Sequence, residues 1–197
     1  MTHILNTYEI SNTKELKIFQ DDNAESPRTF CDPLGSMVCF HGRYNLGDEH
    51  DFDSPEEFRE CINEKDIAVI LPLYLYDHSG ITMSTTPFSC SWDSGQVGWI
   101  YVTKETVRKE FGVKRISKKL IKRLTKYLTG EVEVFDQYLT GEVYGFQLVK
   151  KTTCGSCMDT LEEVVDSCWG FYGSDLTKNG ILDHLQDDDK QIVKAQL

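Results

Sequence analysis

The stretch "YLYDHSGITMSTTPFSCSWDSGQVGWIYVT", Tyr74–Thr103, decides the fold. Runs rich in β-branched and aromatic residues flank two polar, Gly-bearing segments, which predicts three antiparallel strands. The first is the end of "IAVILPLYLY" (67–76), where Pro72 favours a strand edge or a bulge. "ITMSTT" is the second and "QVGWIYV" the third. "DHSG" forms the first turn, with Asp77 capping backbone groups and Gly80 taking positive φ. "WDSG" is an Asx-type turn leading into the third strand.

On either side the helical signals are local. Ser54, Pro55 and Glu57 form a cap, a first-position proline and a capping-box acid, starting a helix over roughly 54–64 with Phe58, Cys61 and Ile62 inward. Thr103 caps a short helix that Gly112 stops. A second helix over about 116–129 sets Ile116, Leu120, Leu124, Tyr127 and Leu128 on one face and ends at Gly130. "YEI", "LKIFQ" and "SMVCFHGRY" (Ser36–Tyr44) read as strands. "EVYGFQLVKK" and "LEEVVDSCWGFYG" form a last pair, joined by a Cys-Gly-Ser-Cys connection. A terminal helix around "DLTKNGILDHL" is interrupted by Asn179-Gly180. These elements predict an α+β class: a single domain over 1–197, with an antiparallel sheet of about six to eight strands and three to four helices beside it. Residues 1–15 are expected to be loosely ordered and 187–197 a frayed tail.

Composition narrows the setting. The chain has 197 residues, enough for a core without disulfides, and no apolar run of the roughly 20 residues a membrane helix needs. The start, "MTHILNTYEISNTKEL", lacks the pattern of a secretory signal, so the expectation is a cytoplasmic protein, with no membrane partner. Seven cysteines are an odd, irregular set. Cys154 and Cys157 form one C-x-x-C pair, but no second pair or neighbouring His completes a zinc site, and no cofactor motif occurs. The net charge is −11 and uneven. Residues 1–66 carry six basic and fifteen acidic side chains, 67–126 carry ten and four, and 127–197 carry five and thirteen. A net acidic surface repels duplex DNA, whereas the same field attracts a basic protein groove, including one that holds nucleic acid.

Longer blocks carry a resemblance. "LKIFQDDNAESPRTF…LGSMVCFHGRYNLGDEHDF", "LPLYLYDHSGITMSTTPFSCSWDSGQVGWIYV", "YLTGEVYGF" and "DSCWGFYG" together resemble an uncharacterised family carried by phages, prophages and plasmids of Firmicutes. The similarity runs from about residue 16 to about 173. It carries over no reaction and no catalytic residue. What it implies is a mobile-element setting inside a bacterial host, where small acidic proteins counter restriction or CRISPR nucleases. The segment "TTCGSCMDT" is longer than the family's usual connection, which argues against an essential role for its cysteines.

Three groups of residues carry candidate chemistry. Asp77, His78, Trp92 and Asp93 lie in the two turns, where a His beside a carboxylate suits acid–base work and an aromatic beside an acid suits an interface. "FHGRYNLGDEHDF" places His41 and Arg43 on one face of a predicted strand, followed by Tyr44 and the acidic loop Asp48, Glu49, Asp51 and Asp53. Asp48, His50 and Asp51 match no specific metal-ligand spacing, so no metal is expected. "KRISKKLIKRLTK" (114–126) holds seven basic and no acidic residues; Lys118, Lys119, Lys122, Arg123 and Lys126 form a helical face suited to phosphates, to solvent or to the chain's own acidic flanks.

The first functional expectation is an inhibitor of the anti-CRISPR or anti-restriction type. It would bind a basic surface of a host defence nuclease, such as a Cas effector, through Tyr44, Asp48, Glu49, Asp51, Asp53, Asp77, Trp92 and Asp93. If the chain is instead an enzyme, it is a metal-independent, ribonuclease-like phosphodiesterase. That enzyme would cleave RNA such as a guide RNA with His41, Arg43 and His78, the basic helix holding phosphates. A host-modulating adaptor with no nucleic-acid link is the third reading. The enzyme reading requires His41 and Arg43 to meet the turns in space.

Overall fold

The three strands read from 67–103 are present in the computed structural model, which describes residues 3–62, 66–155 and 159–197, with the first strand lying between the other two. In chain order the strands are β1 (Ile4–Ser11), β2 (Lys14–Gln20), β3 (Ser36–Cys39), β4 (Ile67–Asp77), β5 (Ile81–Ser84), β6 (Ser94–Thr103), β7 (Val143–Thr153) and β8 (Thr160–Tyr172). The helices are α1 (Pro27–Phe30), α2 (Pro55–Cys61), α3 (Lys104–Phe111), α4 (Lys118–Leu139) and α5 (Asp187–Lys194). A 3₁₀ turn, Ile181–His184, precedes the last. The class is α+β with wholly antiparallel pairing. The strands form two four-stranded sheets, β1-β2-β7-β8 and β3-β6-β4-β5, rather than one. The chain divides into two compact units: Ser26–Thr140, and the residues up to Glu25 together with Gly141 onward. Among the described residues no helix is long and apolar enough to cross a membrane.

In the Ser26–Thr140 unit, Met37, Leu73, Leu75, Ile100 and Val102 pack against Val107 of α3 and against Leu124, Leu128, Val132 and Phe135 of α4. Gly98 permits the β3–β6 pairing, because a Cβ there would stand 2.0 Å from the Val38 carbonyl oxygen. The caps act as expected. Ser54 Oγ accepts the Glu57 N–H at 3.1 Å and Glu57 Oε2 accepts the Asp53 N–H at 2.6 Å. Gly112 closes α3 at φ 61°. The expected end at Gly130 is wrong: α4 continues to Leu139. The apolar stripe runs on through Val132 and Phe135, and this burial outweighs the roughly 1 kcal/mol that a mid-helix glycine costs. Asp136 then fastens α4 to the edge strand β5, accepting from Thr82 Oγ1 (2.7 Å) and the Met83 N–H (2.6 Å).

In the other unit, Leu16, Ile18, Phe146 and Leu148 pack beneath Leu176, Ile181, Leu182, Leu185 and Val193. Two expectations are corrected here. Residues 4–11 of the segment expected to be loose form β1, with Ile10 buried, and residues 187–194 of the expected tail form α5, with Val193 buried. Three aspartates in the first turn of α5 suit its helix dipole, and Lys14 of β2 pairs with Asp189. The terminal helix expected over "DLTKNGILDHL" is reduced to the 3₁₀ turn, because Gly180 sits at φ 99°. Cys157 of the C-x-x-C pair lies outside the described residues.

Candidate functional site

The "DHSG" and "WDSG" turns both fall at one end of the β3-β6-β4-β5 sheet. Tyr76 pairs with Ser94, and the Asp77 N–H donates to the Asp93 carbonyl at 2.8 Å. The first turn is closed by the His78 N–H on the Gly80 carbonyl (3.0 Å). Its left-handed residue is Ser79 (φ 61°), not Gly80 as the sequence suggested. In the second, Ser94 Oγ donates to the Cys90 carbonyl, and Asp93 Oδ2 lies 3.1 Å from His78 Nδ1 and 3.8 Å from Cys90 Sγ.

The third segment does arrive. β3 stops at Cys39, so His41 and Arg43 occupy a loop, not the strand face predicted for them. His41 Nδ1 accepts the N–H groups of Arg43 and Tyr44, both at 3.3 Å, which folds the loop and leaves the ring proton on Nε2. The ring stacks on Tyr44, with centroids 5.0 Å apart. Arg43 sits 5.5 Å over the same Tyr44 ring and ion-pairs with Asp77. Tyr44 Oη donates to Asp77 Oδ1 at 3.3 Å. Asp77 is therefore the hub: through it His41, Arg43 and Tyr44 meet the turn that carries His78 and Asp93. The His78 side chain is 62% exposed and Arg43 71%.

Chemically, the cluster offers a protonated Nε2 on His41 and a guanidinium in Arg43. It also offers an imidazole in His78 whose Nδ1, as donor to Asp93, leaves Nε2 as an acceptor. Its His78 and Arg43 side chains stand open to solvent. Three cavities lie elsewhere: about 560 Å³ beside Phe58, Arg59, Pro72 and Trp99, about 410 Å³ beside Pro27, Lys126, Tyr127 and Val134, and about 350 Å³ beside Tyr8, Ile18, Tyr144 and Leu176. Trp92, in the loop that ends at Asp93, is 94% exposed.

The acidic loop separates into two kinds of residue. Glu49, Asp51 and Asp53 are exposed. Asp48, expected at a partner interface, is committed to the fold: it accepts Arg28 Nε and Nη2, both at 2.7 Å, and the Met37 N–H at 2.7 Å. Arg28 also reaches Glu131 (3.0 Å) and the Gly35 carbonyl (2.5 Å), and its side chain is 3% exposed. Arg28 was not among the residues singled out from the sequence; the signal was Ser26-Pro27, the cap and first residue of α1. His50 does not join Asp48 and Asp51 in a ligand set. Its Nε2 lies 2.9 Å from the Cys39 carbonyl, and its ring packs between Phe40 and Phe52. Burial, followed by the Asp48 carboxylate, pushes the nearby Cys39 thiol up to about 12.

Lys118, Lys119, Lys122, Arg123 and Lys126 are exposed on the first half of α4, and none forms an ion pair among the described residues. Tyr127, expected on the inner face, is 41% exposed and accepts Arg123 Nε at 2.8 Å. No family model, curated protein or solved structure matches the chain.

Proposed function

We propose that the protein is a binding factor of a mobile genetic element that counters a host nucleic-acid-targeting defence. It does so by occupying the basic surface of a defence nuclease, such as a Cas effector. The observation that carries this reading is Trp92. Its indole stands 94% exposed, yet the residues beside it are fastened by the Asp93–His78 and Ser94–Cys90 bonds. An exposed aromatic beside the Asp93 carboxylate has the chemistry of an interface anchor for a cationic partner. The unit formed by the two ends of the chain adds seven basic and fifteen acidic side chains, a field that steers association with such a partner. The test is to capture the host partner with tagged protein, identify it, and compare Trp92→Ala. A partner that lacks a nucleic-acid-binding groove would end the proposal.

A second reading, a metal-independent ribonuclease, is favoured by one observation: Asp77 draws Arg43 and Tyr44 to the turn that carries His78. Here His78 would take a proton from the attacking hydroxyl, His41 Nε2–H would protonate the leaving oxygen, and Arg43 would stabilise the charge between them. Labelled RNA incubated with the protein in EDTA decides it. Cleavage lost in both His41→Ala and His78→Ala supports the enzyme, and intact RNA removes it.

A further inference from the structure

The basic half of α4 is left unexplained by the Trp92 surface. With about 100° between successive helical residues, Lys118, Lys119, Lys122, Arg123 and Lys126 spread over an arc of about 140° centred opposite Leu124. The arc is uninterrupted by acid. The polarity of α4 is also the reverse of what a helix favours: it has no acidic residue in its first turn and no basic residue in its last. Glu131, Glu133 and Asp136 lie in the second half, so charges of both signs oppose the macrodipole. Unpaired cations held against the dipole are stabilised by an anion brought from outside.

A second, independent feature adjoins this face. The groove of about 410 Å³ runs along α4 between Pro27 and Pro33 on one side and Lys126, Tyr127, Gly130 and Val134 on the other. Tyr127 presents an exposed ring, braced by Arg123, whose guanidinium stands 5.1 Å over it. Gly130 is helical, and a Cβ there would meet nothing within 4 Å, so neither backbone conformation nor internal packing requires glycine. Its absent side chain leaves open floor beside the ring. Of the groove's carboxylates, Glu131 is bound to Arg28 and Asp32 stands at the rim.

We propose that this half of α4 and its groove bind a single strand of nucleic acid, with phosphates on Lys119, Lys122 and Lys126 and one base stacked on Tyr127 over Gly130. A cationic track beside an aromatic platform suits a single strand, whose bases are free to stack, better than a duplex. The idea is independent of the anti-defence reading, since it concerns a different face and a different ligand.

Fluorescence anisotropy of the full chain with labelled single-stranded 12-mers of RNA and DNA, and with a duplex of equal length, tests it. Single strands should bind more tightly than the duplex. Three phosphate contacts predict about a 20-fold loss of affinity between 50 and 200 mM salt. Lys119→Glu/Lys122→Glu/Lys126→Glu should abolish binding while leaving the melting temperature close to wild type, because all three side chains are exposed and form no ion pair among the described residues. Gly130→Leu should also melt no lower than wild type, yet bind single strands at least fivefold more weakly. No single-strand binding at 50 mM salt, equal binding of the duplex, competition by polyglutamate as strong as by unlabelled strand, or wild-type affinity in either variant would overturn the proposal.

Discussion

Replacing Arg28 by Ala removes the cation that serves both Asp48 and Glu131. The guanidinium is 3% exposed and makes two bonds to Asp48 at 2.7 Å, one to Glu131 at 3.0 Å and one to the Gly35 carbonyl at 2.5 Å. Truncation leaves Asp48 and Glu131 facing each other's charge with no cation between them. Breaking a buried pair by deleting one partner costs about 3–5 kcal/mol. Here the carboxylate side chains are 30% and 20% exposed, and each keeps backbone donors: the Met37 N–H on Asp48, and those of Leu34 and Gly35 on Glu131. Water and those donors offset part of the loss, so the expected cost is at the lower end, about 3 kcal/mol. For a chain of this size that lowers the melting temperature by about 6–12 °C. Urea denaturation followed by circular dichroism reads it as a fall in midpoint at constant slope. Arg28→Lys should lie between wild type and Arg28→Ala, since an ammonium keeps the charge but cannot chelate Asp48 in the plane of a fork. A loss below about 1 kcal/mol for Arg28→Ala, or a fully wild-type Arg28→Lys, would refute the assignment of this network as the clamp between α1, β3 and α4.

Three other expectations follow from single positions. Gly98→Ala drives a Cβ to 2.0 Å from the Val38 carbonyl oxygen and 2.9 Å from the Cys39 Cα, both backbone atoms; the strand must move, and a thermal melt should show a loss of about 3 kcal/mol. Ser79→Gly relieves a left-handed serine at φ 61° at the tip of the β4–β5 turn, and should raise stability by about 0.5–1 kcal/mol in the same assay, since strain relief exceeds the extra chain entropy of glycine. Native protein treated with iodoacetamide at mild alkaline pH should be labelled at the exposed Cys31 and Cys61 and spared at Cys39, as peptide mass mapping will show. The Cys39 thiol is raised by burial from 9.0 to about 12, so the folded chain holds a proton that the unfolded chain releases. Stability from that source is complete below pH 9 and is lost as pH climbs towards 12.

Local chemistry was legible in the sequence and long-range convergence was not. The box Ser54-Pro55-Glu57, the Thr103 cap and the Gly112 stop each act within four residues, and all are found as expected. The three strands of 67–103 were legible for the same reason, but not their order: β6 returns to pair with β4 on the side away from β5. Gly130 misled because propensity argues for a stop, while Val132 and Phe135 supply burial that a local reading does not weigh. The full extent of β1 beyond "YEI", and α5 altogether, were missed because each carries few apolar residues, Ile10 and Val193 being the buried ones. At the site, His41 was read as a strand residue, yet its Nδ1 bonds to Arg43 and Tyr44 are what end the strand geometry there. The meeting of Arg43 with Asp77 spans 34 positions, and no local pattern announces it.

The proposed role of Trp92 as the anchor for a basic nuclease partner is tested by removing its indole. Tagged wild-type protein and Trp92→Ala, expressed in a bacterial host that carries nucleic-acid-targeting defences, should be compared for the nuclease each retains and for its affinity once purified. Because Trp92 is 94% exposed, the variant should melt within about 0.5 kcal/mol of wild type. The expected result is capture of a nuclease with a cationic nucleic-acid groove, affinity that falls steeply with salt, and a further loss of about 2–4 kcal/mol, roughly 30- to 1,000-fold, in Trp92→Ala. Equal affinity of the two proteins, or binding that does not change with salt, would contradict it.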